Sequence, residues 1–222
     1  MSVAPLRQLL EDRFPGTSPL PGSAPAVSSG IEALDRVLPG GFPRGRLTVW
    51  EPGGGAETLL RQACLETCRL RETAVWIDAT GTLPGDGWPA GPVLVRPPGR
   101  TAALACAEEM SRCGGVALVV LCGTSEERVR LSRAAREGGA ALVVLGEGRG
   151  GAALRCRSEI RPSDYLLRLD PLGEPVEVYA VRLRVRAQAM GWMRKAEILV
   201  SIPEDARRLS LDPGLGDRRG SF

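Results

Sequence analysis

Arg46-Leu47-Thr48-Val49-Trp50-Glu51-Pro52-Gly53-Gly54-Gly55-Ala56-Glu57-Thr58-Leu59-Leu60 decides the fold. The stretch reads as a strand, a glycine-rich turn and a helix start, the succession found in a phosphate-binding loop. Working loops follow G-x-x-x-x-G-K-[ST]: backbone amides cradle the phosphates and the lysine reaches the outer ones. In that register Glu51 stands at the first glycine, Ala56 at the second and Glu57 at the lysine, while Thr58 keeps its type. A carboxylate about 4 Å from a phosphate charge repels it by about 4 kcal/mol at an effective dielectric near 20. The lysine's attraction is lost as well, so nucleotide affinity falls by orders of magnitude. Gly53, Gly54 and Gly55 then have two readings, an amide nest for another anion or a tight strand-to-helix turn and nothing else. The second is plainer. The loop reads as a degenerate P-loop that holds no cofactor.

Working outward, apolar strands alternate with helical patterns on both sides of the loop. Ser28 or Ser29 caps a helix that ends at Pro39-Gly40-Gly41. The helix after the loop, about 57–70, buries Leu60, Ala63, Cys64 and Thr67 at spacings of three and four. Strands follow at 74–78 and 92–96, then a helix over about 100–113 with Ala103, Cys106, Ala107 and Met110 on one face. Strand 116–121 is continuously apolar, as a strand covered on both sides should be; helix 125–137 and strand 140–145 come next. This alternation predicts a mostly parallel α/β sheet with helices on both faces. After Gly146, segments 153–157, 164–169, 176–186 and 195–202 alternate without helices and read as extra strands closing the sheet's edge.

The organisation is therefore an N-terminal helix and linker (1–27), a core domain (28–202) and a flexible basic C-terminal tail (203–222). Leu6, Leu9, Leu10 and Phe14 line one side of the N-terminal helix, which needs an apolar surface of its own core or of a partner.

Composition narrows the chemistry. The chain has 222 residues and a net charge of +3, too small for a strong nucleic-acid footprint. Lys195 is the only lysine, so none near the loop replaces the missing one. Histidine is absent, which removes Ser-His and Cys-His nucleophile pairs, His-ligated metals and the usual general base. The six cysteines include no C-x-x-C pair; Cys64 and Cys106 read as small buried hydrophobes. No signal peptide or membrane-length apolar run appears, so a soluble, cytoplasmic protein is expected.

Ser28-Ser29-Gly30-Ile31-Glu32-Ala33-Leu34-Asp35, then Leu38-Pro39-Gly40-Gly41-Phe42-Pro43-Arg44-Gly45-Arg46-Leu47 and the loop, together resemble the recombinase RecA family. The resemblance continues through Ile77-Asp78-Ala79 and spans roughly residues 25–200, with its most specific part at 28–47. It implies a RecA-like core. The chemical positions have departed: Thr80 stands where that family has its catalytic glutamate, and Leu121 or Cys122 where the Walker B aspartate should end its strand. The long DNA-binding loop shrinks to Gly123-Thr124-Ser125-Glu126-Glu127. Without that carboxylate no hard-oxygen magnesium ligand is evident. A core of this kind, entered through L-P-G-G-x-P-R-G-R-L-T, looks like the ImuA family. That resemblance implies a non-catalytic accessory protein of damage-induced translesion synthesis in the SOS response. Its partners would be ImuB (a catalytically dead Y-family polymerase relative), an error-prone DnaE-type polymerase and RecA itself, with nucleoid association when engaged. A SulA-like SOS regulator is an alternative, though SulA is usually shorter and lacks the glycine-rich entry.

The remaining constellations each have two readings. On strand 179–186, Arg182, Arg184 and Arg186 alternate with Tyr179, Val181, Leu183 and Val185. They read as a basic stripe for DNA or an acidic partner, or as the charged face of an edge strand. Met190, Trp192 and Met193 beside Arg194 and Lys195 form a partner patch in an irregular segment, or core filling. The tail carries Arg207 and Arg208 with Leu209 and Leu211, and the family resemblance makes it a candidate ImuB contact. Glu108-Glu109 and Glu126-Glu127 read as solvated helix faces.

Overall fold

The computed structural model describes residues 25–81, 91–123, 127–147 and 151–202. Strands β1 (Ala26–Val27) and β2 (Phe42–Pro43) form a small antiparallel ribbon. The other strands make one nine-stranded sheet: β3 (Arg46–Trp50), β4 (Ala74–Asp78), β5 (Val93–Val95), β6 (Leu118–Cys122), β7 (Ala141–Leu145), β8 (Leu154–Glu159), β9 (Tyr165–Leu169), β10 (Pro175–Ala189) and β11 (Trp192–Ser201). Their order is β11-β10-β8-β3-β7-β6-β4-β5, with β9 on β10. From β8 to β5 every neighbouring pair is parallel; β10 pairs antiparallel with β8, β9 and β11. The expected mostly parallel α/β sheet is observed.

Among the described residues, four α-helices cover it: α1 (Glu32–Val37), α2 (Ala56–Arg69), α3 (Arg100–Arg112) and α4 (Arg128–Gly138). Because successive strand residues face opposite ways, β3 divides its side chains between two cores. Trp50 joins Leu34 of α1 and Leu59, Leu60 and Ala63 of α2 on one side. Leu47 and Val49 join Ala103 and Ala107 of α3 and Leu131 and Ala135 of α4 on the other. Every residue of β4, β6 and β7 is buried, which is why β6 and β7 read as continuous apolar runs.

Several local expectations change. Ser28 and Ser29 do not cap α1. Their hydroxyls donate to the Asp35 carboxylate at 2.7 Å each, the Ser29 amide adds a bond at 2.9 Å, and the helix starts later, at Glu32. Both hydroxyls also accept from amides just ahead of the helix, Ser28 from Gly30 and Ser29 from Ile31 at 3.1 Å each, so they build a turn before α1 and leave its first amides uncapped. The strand expected at 116–121 begins at Leu118 and ends at Cys122. The helix expected from 125 starts at Arg128, behind Glu127 in the left-handed region at φ 54°.

Glu127 is thus no helix-face residue, and Glu108 is no solvated one. Glu108 bonds Arg112 at 2.8 Å within α3 and Arg130 of α4 at 2.5 Å, joining the two helices. The Arg112 hydrogen bond, helped by Arg130, holds its carboxyl below the usual range against partial burial. β10 is not an edge strand: β8 and β11 flank it. Met190 sits in the β10–β11 turn and Trp192 already begins β11, so that segment is a regular hairpin.

The loop glycines follow from packing. Gly53, Gly54 and Gly55 all have positive φ (96°, 53° and 76°), and a Cβ on Gly54 would run into the Ser158 carbonyl of β8. Around Gly53 there is open space. Gly53→Ala should therefore cost only the left-handed backbone penalty, roughly 1–2 kcal/mol. Gly54→Ala should cost about 3 kcal/mol or more, because β8 must also move. Denaturant midpoints of the two variants measure the difference.

Candidate functional site

Ligands of open parallel sheets bind outside the carboxyl ends of the strands. Here that position, beyond β3, β4, β6 and β7, is a cleft of about 430 Å³ lined by Glu57, Thr80, Arg100, Cys122 and Glu147. Asp78, 2 % exposed, closes β4 beneath it. It accepts hydrogen bonds from the Thr80 hydroxyl (2.8 Å), the Thr80 amide (3.2 Å) and the Gly81 amide (2.9 Å). Thr80 thus orders Asp78. Cys122, at the end of β6, has its thiol pushed up to about 12 by burial, with the Glu57 and Asp78 charges adding and Arg61 opposing. Glu57 and Glu147 give the cleft two carboxylates against one lining arginine, Arg100, where a nucleotide's phosphates would need an excess of cations.

The loop is stitched to β8. The Glu51 amide donates to the Cys156 carbonyl (2.9 Å), and the Ser158 hydroxyl to the Gly53 carbonyl (3.1 Å). Trp50 Nε1 donates to the same hydroxyl at 3.3 Å, and the Ala56 amide returns to the Gly53 carbonyl at 3.0 Å. Ala56 is buried; Glu51, Glu57 and Thr58 are exposed. These bonds make the loop a tight strand-to-helix turn.

Beyond β8 the sheet outgrows its helices on the α3–α4 side. Val181, Leu183, Val185 and Ala187 of β10 face the α1–α2 core, so Arg182, Arg184 and Arg186 face outward. Cross-strand rows form there: Glu159–Arg184–Glu197, and next to it Arg157–Arg186–Lys195. The three stripe arginines are not equivalent. Arg184 binds the buried Asp164 at 2.6 Å and Glu197 at 3.5 Å, and Arg182 lies 3.8 Å from Glu197. Arg186 has cations on both sides. The rows line a cavity of about 470 Å³.

Trp192 and Arg194 belong to the opposite face. The Arg194 guanidinium lies 5.3 Å from the Trp192 ring centroid and donates to the Arg36 carbonyl at 3.1 Å, while Trp192 packs on the core. Met190 and Met193 are exposed, so the expected apolar patch is divided. Leu6, Leu9, Leu10, Arg207 and Arg208 lie outside the described residues.

The sequence reading missed the arm made by β9 and the first half of β10. Leu167, Leu169, Leu172 and Val176 are 45 %, 57 %, 88 % and 67 % exposed. The available signal was the adjacent pair Leu166-Leu167, which puts apolar groups on both faces of one strand. Among the described residues no helix is long and apolar enough to cross a membrane. Neither a family model nor a curated protein sequence matches the chain.

The cleft electrostatics can be read from its thiol. Glu57→Lys removes a charge that raises the Cys122 pKa and adds one that lowers it, so more thiolate forms at a given pH. Alkylation of Cys122 at pH 8, measured by peptide mapping against the exposed Cys113, should accelerate on the order of threefold. An unchanged ratio would place Glu57 away from the cleft.

Proposed function

We propose that this chain is a non-catalytic accessory protein with a RecA-like core and a degenerate P-loop, acting in damage-induced translesion synthesis by binding ImuB and RecA. The observation that carries the adaptor reading is the exposed β9–β10 arm. A two-stranded arm is marginal in water by itself, and contiguous exposed apolar surface marks protein–protein contact. The arm spends four large apolar side chains on solvent, a cost that a partner's surface would relieve.

The lack of catalysis rests on electrostatics. Glu57 and Glu147 face the cleft where nucleotide phosphates would sit, and the loop's Glu51 and Ala56 amides already have backbone partners. The central position of the loop-bearing strand, flanked by β7 and β8, supports a P-loop-derived sheet. The RecA-type entry at 28–47 supports the family assignment, through the Asp35-centred serine turn that leads into α1.

The test uses the full chain co-expressed with ImuB, and separately with RecA, from the same source. Leu167→Glu combined with Val176→Glu should lower recovery of the partner at least about tenfold, as expected of central interface residues. Both positions are exposed, so the melting temperature of the variant should stay near that of the parent. Equal capture of both partners by parent and variant would remove the arm from the interface. Capture of neither by the parent would overturn the adaptor reading.

A further inference from the structure

We propose that Arg157, Arg186 and Lys195 bind the phosphodiester backbone of a single-stranded nucleic acid running across the outer face of β8, β10 and β11. The register sets these residues abreast: Arg186 pairs with Arg157 of β8 on one side and with Lys195 of β11 on the other. Strands lie about 4.8 Å apart, so the row spans about 10 Å. Like charges directly opposite one another on neighbouring strands are destabilising. The arrangement calls for an anion between them.

The protein does not supply that anion from its own face. Among the described residues, the side chains of Arg186 and Lys195 have neither a hydrogen bond nor an ion pair, and that of Arg157 pairs only with Glu51 at 3.4 Å. The neighbouring acids are already matched: Glu197 lies against Arg184 and Arg182, and Glu159 bonds Arg161 at 2.7 Å. A ligand therefore meets a cationic row bordered by neutralised pairs. The row opens into the cavity of about 470 Å³, and a second cavity of about 980 Å³ shares Arg157 and Glu159 with it. That second cavity also carries the carboxylates of Glu51 and Glu147, so the phosphates are held at the row itself; what it adds for a ligand is Arg155 and the half-exposed ring of Tyr165, a surface on which a base can stack.

The direction of the row selects the class of ligand. A peptide added along the open edge of β11 would run parallel to that strand and meet Lys195 alone. A chain crossing all three strands finds no backbone hydrogen bonds, so its charge must repeat along its own backbone. Nucleic acid meets that requirement. This inference rests on the sheet face and stands whether or not the arm binds a partner.

The experiment is fluorescence anisotropy of the full chain with a labelled twelve-nucleotide oligo(dT), and with labelled poly-glutamate as the second probe. Three phosphate contacts predict a slope of about −2 for the logarithm of affinity against the logarithm of salt, a loss of about twentyfold between 50 and 200 mM. Arg186→Ser combined with Lys195→Ser should weaken binding at least tenfold at 50 mM and bring the slope to about −1 or flatter. Arg36→Ser, on the opposite face, should leave binding unchanged. Should the double variant fail to fold, Arg157→Ser alone should flatten the slope by about 0.7. Oligo(dT) binding that ignores these substitutions, or that is missing at 50 mM, overturns the proposal. So does poly-glutamate binding without oligo(dT) binding, which would assign the row to an acidic protein.

Discussion

Strands β3, β6 and β7 lie in the middle of the sheet with no face in water, and their backbone groups find partners only in the parallel ladder. Both faces must therefore be covered by helices. The alternation within β3 distributes that requirement, sending Trp50 toward α1 and α2 and Leu47 and Val49 toward α3 and α4. Where the helices stop, the sheet does not. On the α3–α4 side the strands past β8 present charged residues to solvent, while their other face stays apolar against α1 and α2. The charged rows follow from a sheet wider than its cover on one side.

The same crowding explains the loop. Its three left-handed glycines bring the chain so close to β8 that Gly54 has no room for a side chain, and Ser158 ties the turn to Trp50. A strand-to-helix turn pulled against its neighbour has little freedom to wrap an anion. The residue at its helix start, Glu57, points its charge into the cleft and raises the Cys122 thiol. Sterics and electrostatics thus work in one direction, making the loop a packing element.

Charge on this protein is mostly matched locally, which is why a net of +3 says little about its surface. Glu108 joins α3 to α4 through Arg112 and Arg130, and Asp164 anchors Arg184 from a buried position. Against that background the row Arg157–Arg186–Lys195 stands out, since only Arg157, through Glu51, has an acidic partner. The β9–β10 arm stands out among the apolar residues by grouping several exposed ones, Leu167, Leu169, Leu172 and Val176, in one hairpin.

Much of the fold was legible in the sequence. The continuous apolar runs of β6 and β7 and the spacing of Leu60, Ala63, Cys64 and Thr67 report burial directly, because local periodicity is what a strand or helix face imposes. The negative charge of Glu57 at the helix start was equally plain, since side-chain type at one position determines the sign of a charge. What the sequence did not determine was neighbourhood. Arg182, Arg184 and Arg186 look alike along the chain, yet Asp164 and Glu197 claim one, Glu197 touches another, and Arg157 and Lys195 flank the third. Those neighbours come from strands distant in sequence, and only strand order and register bring them together. The exposure of Leu167 and Val176 was decided in the same way: an apolar side chain is buried or left in water according to whether another layer reaches it, and no layer of the described chain does.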